Sequence, residues 1–327
     1  MLLVTGGAGF IGSNLVAGLN EAGRADIAVS DSLGSDGKWR NLGSRQVADI
    51  VPPAEVTRWL DGRKLDAVVH LGANSSTTAT DADAVIESNF RFSLRLLDWC
   101  AAHRTPFIYA SSAATYGDGS FGFSDECSLA ALKRLKPMNL YGWSKHLFDL
   151  VVLDRAARAD KTLPPQWAGL KFFNVYGPNE YHKGEMMSLV AKRFDEAKAG
   201  KPARLFKSHR PGIGDGEQKR DFIYVDDAVA VVRWLIDTPT VSGLFNVGTG
   251  KARSFRDLIT AMFAALGRDP AIEYIDMPAP IRDSYQYFTQ AETENLRRAG
   301  YNADFTALED AVRRYVTHYL DRPDRYR

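Results

Sequence analysis

The sequence predicts an α/β protein, a doubly wound parallel sheet carrying a smaller mixed α/β lobe. Three observations predict it. The chain opens on a short apolar run, Leu2-Leu3-Val4, and Gly6, Gly7, Gly9 and Gly12 follow at once. Apolar residues then recur at helical spacing, at Phe10, Ile11, Leu15 and Leu19, so the stretch reads strand, tight turn, helix. Further on, strand-like apolar runs alternate with helix-length segments, the rhythm of a parallel sheet covered on both faces.

The first turn carries the most chemistry. Gly7, Gly9 and Gly12 fit G-x-G-x-x-G, and Gly6, Gly9 and Gly12 fit G-x-x-G-x-x-G. Missing side chains let the turn close, let backbone approach a pyrophosphate and let helix pack on strand. The helix N-terminus then offers free N–H groups and a positive dipole end to phosphates. Asp31 ends the next apolar run, Ile27–Asp31, where a carboxylate grips an adenosine ribose. A dinucleotide-binding (Rossmann) half follows from these residues together. The polar stretch from Ser32 to Arg45 would lie beside that ribose. There Lys38 either meets a 2′-phosphate or is an ordinary solvated charge.

The later elements continue the pattern. Asp66–Leu71 is a strand run that ends in the small residues Gly72-Ala73-Asn74-Ser75-Ser76, at the sheet edge where a cofactor lies. Asp81–His103 reads as one helix with Val85, Asn89, Phe92, Leu96 and Trp99 along a stripe. Pro106–Ala110 is a strand leading into Ser111-Ser112, and Tyr141–Arg158 is a helix. Gly169–Pro178 is a strand and turn. From about Asn179 the rhythm changes. Gly184–Gly200 reads as an amphipathic helix and Arg220–Val225 as a strand, with Asp226 or Asp227 capping the helix behind it. Leu244–Gly248 is a strand. Ser254-Phe-Arg-Asp257 and Thr306-Ala-Leu-Glu309 carry capping-box patterns. The expected domains are 1–172 for the dinucleotide and 173–327 mainly for substrate, with segments near 219–240 returning to the first.

Composition narrows the function classes. The 327 residues are of ordinary globular composition with a net charge of +1, so neither nucleic acid nor an anionic membrane surface is an expected partner. Cys100 and Cys127 make no disulfide framework and no metal-ligand spacing, so no metal is expected. A strand starting at Met1 leaves no signal peptide, and no apolar run reaches membrane-span length, so a cytoplasmic protein is expected.

Tyr141-Gly-Trp-Ser-Lys145 puts a phenol and an ammonium at i and i+4 on one helix face. The cation stabilises a phenolate, which makes the tyrosine a usable base, and Ser112 at the preceding strand end would hydrogen-bond the same hydroxyl. With the glycine turn, Ser111-Ser112, Tyr141/Lys145 and Asn174-Val-Tyr-Gly-Pro178 in this order, the whole chain resembles the extended short-chain dehydrogenase/reductases that act on nucleotide sugars. Gly72–Thr78, Ala110–Gly117, Phe173–Gly184, Lys219–Phe222 and Tyr285–Gln290 resemble, within that group, the ADP-glyceromanno-heptose 6-epimerase family.

The resemblance implies a reaction and its residues. C6″ of ADP-D-glycero-D-manno-heptose bears an alcohol beside no acidifying carbonyl, so it inverts through a transient 6″-ketone, with NADP as cofactor (NAD possible). Two acid/base groups serve the two orientations of that ketone, Tyr141 and, in the His-Lys-Gly loop, Lys183. Lys145 and Ser112 complete the catalytic set. The implied cofactor contacts are Gly6, Gly9, Phe10, Ile11, Gly12, Asp31, Ser32 and Lys38. They continue with Leu71, Gly72, Ala73, Asn74, Ser75, Asn89, Lys145, Val175 and Lys183. The implied substrate contacts are Ser112, Asn174, Glu185, Lys192, Phe206, Lys207, Ser208, His209, Arg220 and Tyr285. Glu185 and Lys192 depart from the small hydroxyl and the His usual in that family. Arg220 reads as a diphosphate clamp or as a surface ion pair with Asp221 or Asp226. The family implies a homo-oligomer, usually a pentamer. Two rival readings remain: a nucleotide-sugar 4-epimerase or dehydratase on the same scaffold, and a non-catalytic dinucleotide-binding scaffold. Ala113-Ala114 stands where a dehydratase places its acidic pair, and a 4-epimerase needs no base of the Lys183 kind.

Overall fold

The computed structural model describes residues 1–158, 162–282 and 285–327. In chain order the strands are β1 (Leu2–Thr5), β2 (Ile27–Ser30), β3 (Asp49–Val51), β4 (Ala67–His70), β5 (Phe107–Ser112), β6 (Trp167–Phe172), β7 (Asn174–Tyr176), β8 (Ala203–Phe206), β9 (Lys219–Tyr224), β10 (Gly243–Val247), β11 (Ala252–Ser254) and β12 (Ile272–Ile275). Seven of them form one sheet in the order β10-β6-β5-β4-β1-β2-β3. Every pairing in it is parallel. A three-stranded sheet, β11-β9-β7, and a two-stranded one, β12-β8, make the smaller lobe. β10 joins β6, and the helix Val225–Asp237 packs on the helix Phe10–Glu21.

Alternation along the strands explains the two-sided burial. Leu2 and Val4 enter one core with Ile27, Val29, Val69 and Ile108. Leu3 enters the other with Ala28, Val68, Phe107 and Tyr109. Because both faces are covered, these strands read as continuous apolar runs. Each Leu, Ile, Val or Phe side chain among them stabilises the fold by about 1.5–3 kcal/mol. Among the described residues no helix is long and apolar enough to cross a membrane.

One expected helix forms with a widened turn, and three other local expectations differ from what forms. The helix expected over Asp81–His103 forms as one uninterrupted run from Ala82 to Ala102, capped by Asp81, with a wide π turn at Glu87–Arg91. At that turn the buried Asn89 amide accepts from Asn74 N at 2.7 Å and donates to Asn74 O at 2.9 Å. The helix expected over Gly184–Gly200 begins only at Leu189, where Ser188 caps it; before it lies a 3₁₀ stretch, Tyr181–Met186, with Gly184 at φ 53°. Neither Asp226 nor Asp227 caps the helix Val225–Asp237. Asp226 pairs with Arg327, and Asp227 accepts from Thr306 N and Oγ1. Thr306 is thereby engaged, and the last helix starts after Ala307 with no side-chain cap. The capping box at Ser254 and Asp257 forms as read.

Candidate active site

The glycine turn meets the loop after β4 at close range. Gly6 has φ +67°, and a Cβ there would lie 2.6 Å from Gly72 N. A Cβ on Gly12 would lie 2.1 Å from the Gly6 carbonyl oxygen. Strand order reverses between β1 and β4, so a crevice opens at the carboxyl ends of these two strands. Gly9 is the N-cap of the helix Phe10–Glu21 and supplies no side-chain cap, which leaves that helix end open to an anion. A cavity of about 680 Å³ runs from here toward the smaller lobe.

Asp31 closes one end of the cavity. Its carboxylate accepts from Ala8 N at 2.9 Å and pairs with Lys38 Nζ at 2.5 Å. Lys38 is therefore not a free loop charge. His182 reaches the same end from a distant loop, with Nδ1 3.2 Å from Asn41 Nδ2. Asn41 also donates to Ala8 O at 2.8 Å. Burial, aided by Lys38, holds the imidazole below its ordinary range. A cradle that any Cβ would fill, an open helix end and a paired Asp31/Lys38 fit a nicotinamide dinucleotide.

The middle of the cavity holds the reactive side chains. Asn139 caps the helix Leu140–Ala157 through Gly142 N. Gly142 then packs so closely on the Ala113–Tyr116 turn that a Cβ would stand 2.6 Å from Ala114 O. That contact brings Tyr141 to Ser112, whose hydroxyl hydrogen-bonds the phenol. Lys145 Nζ donates to Ala110 O at 2.8 Å. Burial pushes the Tyr141 phenol up, Ser112 opposing, and pulls Lys145 down to about 8, with Asp149 opposing.

Lys183 lines the same cavity from the Tyr181–Met186 stretch, its Nζ 5.0 Å from the centre of the Phe10 ring. Burial lowers its ammonium and the buried Glu180 opposes. Glu180 ties the ends of this loop together, accepting from Gly177 N, Ser188 N and Ser188 Oγ, and from Tyr315 Oη at 3.1 Å.

The remaining sequence-derived residues fall into three groups. Gly6, Gly9, Phe10, Ile11, Gly12, the Leu71–Ser75 run, Asn174 and Val175 line the cavity. Asn89 does not line it; it shapes the wall through Asn74 and also donates to Ser144 Oγ at 3.0 Å. The Ser32 side chain is likewise outside the wall, and its carbonyl accepts from Lys38. Arg220 lies beyond, 5.2 Å from the Tyr285 ring and 5.6 Å from the Phe255 ring. It makes no ion pair with Asp221, which four N–H and O–H donors from Thr249, Gly250 and Ala291 surround, nor with Asp226. Phe206 packs edge-on to Tyr285 at 6.3 Å. Lys207 pairs with Asp276. Ser208 N donates to Asp215, and His209 N donates to Tyr287 Oη.

The third group is displaced. Glu185 is fully exposed and pairs with Lys192 at 2.9 Å, and neither lines the cavity. The late start of the helix at Leu189 turns Glu185 outward. Sequence reading missed His182, Thr77, Met186 and Met187 on the wall. His182 stood next to Lys183 in the His-Lys-Gly stretch, which was its one signal. Among the described residues no group of three His, Cys, Asp or Glu side chains is placed to hold a metal ion.

The model of the NAD dependent epimerase/dehydratase family matches residues 2–248. The ADP-L-glycero-D-manno-heptose-6-epimerase of Nitratidesulfovibrio vulgaris (strain DP4) is 52% identical over 99% of each chain. The crystal structure of the Helicobacter pylori ADP-L-glycero-D-manno-heptose-6-epimerase superposes with a TM-score of 0.79 at 30% identity, covering 97% of this chain and 95% of that one. UDP-glucose 4-epimerase from Thermus thermophilus, solved in complex with NAD, gives 0.76 at 26% identity, covering 97% and 98%.

Proposed function

The chain belongs to the NAD dependent epimerase/dehydratase family, and from that premise we propose that it inverts C6″ of ADP-D-glycero-β-D-manno-heptose to the L-glycero form. The observation that carries the reading is one cavity with Tyr141, Ser112 and Lys145 on one side and Lys183 on the loop over Phe10. The glycine turn, Asp31 and Lys38 would hold a nicotinamide dinucleotide, which would supply reversible hydride-acceptor chemistry beside C6″. NADP is the preferred form, because Lys38 neutralises the carboxylate that would repel a 2′-phosphate.

The chain's own groups handle the protons. Tyr141 takes the proton from the C6″ hydroxyl as hydride leaves carbon; Ser112 orients that oxygen and Lys145 stabilises the phenolate. The terminal unit then turns within the cavity. Lys183 gives a proton to the oxygen of the reversed ketone, and burial makes its ammonium a readier proton donor than an ordinary lysine. Arg220, between the Phe255 and Tyr285 rings, would meet the diphosphate. The proposal includes a cytoplasmic homo-oligomer, a pentamer as in the family the sequence resembles.

Kinetics of two variants test the two-base assignment. Tyr141→Phe and Lys183→Met should each lower turnover about 10²–10⁴-fold while NADPH affinity is kept. Full turnover by Lys183→Met would point to a 4-epimerase with a single base.

A further inference from the structure

The helix Leu140–Ala157 carries Tyr141, Lys145 and Asp149 on one stripe, at i, i+4 and i+8. The first two line the cavity; Asp149 lies off it and is fully buried. Its Oδ1 accepts from Tyr109 Oη at 3.0 Å, and its Oδ2 from Ser111 Oγ at 2.7 Å and Lys171 Nζ at 2.6 Å. Lys171 sits on β6 directly opposite Ser111 and is 1% exposed. Its ammonium also donates to Thr115 Oγ1 at 2.8 Å, and Thr115 donates on to Ser112 O at 2.8 Å. Three successive residues of β5 are thus gripped: Ala110 by Lys145, Ser111 by Asp149, and Ser112 through Thr115.

A dry ion pair is weak evidence for stability, since apolar residues of equal volume often do as well. We propose that the Asp149–Lys171 pair is a positioning element for the Tyr141–Lys145 dyad, fixing β5 against the helix and keeping the charge beneath the phenol balanced. The proposal rests on the reading of Tyr141 as the acid/base.

The surroundings isolate that charge. His146 comes from the same helix, His70 from β4, Tyr109 from β5, Tyr116 from the Ala113–Tyr116 turn, and Cys127 from the following loop. Burial holds His70 and His146 below their ordinary range and Tyr109, Tyr116 and Cys127 above theirs. Near neutrality these five carry no charge; beyond them the Asp125 carboxylate, pushed up to about 6 by burial, also acts on Tyr116 and Cys127, and Asp149 and Lys171 form the pair beneath Lys145. Asp149 acts on both members of the dyad, opposing the burial that lowers Lys145 and adding to the burial that raises Tyr141.

Tyrosinate absorbance at 295 nm, titrated on the holoenzyme with Tyr141→Phe subtracted, reads the phenol directly. Lys171→Gln should raise its midpoint by about one pH unit, and Asp149→Asn should lower it by about one. The double variant Asp149→Asn/Lys171→Gln should return to within about 0.3 of the parent. A role confined to packing would move both single variants alike or neither, and would leave the double variant the worst; either result overturns the proposal. If a neutral single variant does not fold, Lys171→Arg and the double variant decide, since a one-unit shift in either contradicts charge balance. The readout needs no sugar substrate. The predicted shifts in a protein that turns over no ADP-heptose would leave this inference standing and refute the assigned reaction.

Discussion

The role proposed for Lys38 in cofactor preference has a calculable consequence. The Lys38 ammonium lies 2.5 Å from the Asp31 carboxylate, the group expected at the ribose. In Lys38→Ala, Asp31 faces a 2′-phosphate alone. Two unit charges about 4 Å apart interact by about 4 kcal/mol at an effective dielectric of about 20. The Lys38 side chain is 20% exposed, so solvent and salt take part of this. A loss of about 2 kcal/mol remains, or about 30-fold in Kd for NADPH. NADH carries no such phosphate and should bind within about threefold of the parent. Fluorescence titration of cofactor-stripped protein with each reduced dinucleotide gives both constants. A ratio of the two Kd values that stays within about threefold would refute the charge argument.

Other perturbations follow from the same geometry. Gly12→Ala should cost about 2 kcal/mol or more in denaturant unfolding and abolish dinucleotide binding, because the new Cβ meets the Gly6 carbonyl at 2.1 Å; native stability and binding would contradict it. The kcat/KM profile should fall above about pH 8 as Lys145 loses its proton, and the fall should move in Lys145→Arg. His70 is buried between Thr5 and Ser93 and held at about 3, so the unfolded chain binds the extra proton between about pH 6.5 and 3. Stability should therefore drop by up to about 1.4 kcal/mol per pH unit as pH falls through that window, less so in His70→Gln.

The parts of the fold written in local pattern were legible. β1, the glycine turn and the helix behind it announce themselves within the first turn's spacing, and Ser254/Asp257 form their capping box. The misreadings have physical causes. A helical stripe cannot show that Asn89 will turn its amide to the Asn74 backbone and widen one turn to π. Gly184 with positive φ and the Ser188 cap delay a helix whose apolar spacing began earlier. Asp227 and Thr306 each looked like a cap and instead bond each other across 79 residues. In the site, Tyr141 and Lys145 share one helix and so share one motif. Lys183 meets Phe10 from a remote loop, and Asp149 meets Lys171 from another strand, so spacing alone carried no sign of either contact.

The central claim is inversion by transient oxidation at C6″. Proton NMR of the purified protein with ADP-D-glycero-β-D-manno-heptose in D₂O, without added cofactor, tests it most directly. The expected product is the L-glycero epimer with no deuterium at C6″, because the same hydride returns to carbon. Deuterium at C6″ would contradict the oxidation route, and no epimer even with NADP⁺ added would contradict the assigned reaction.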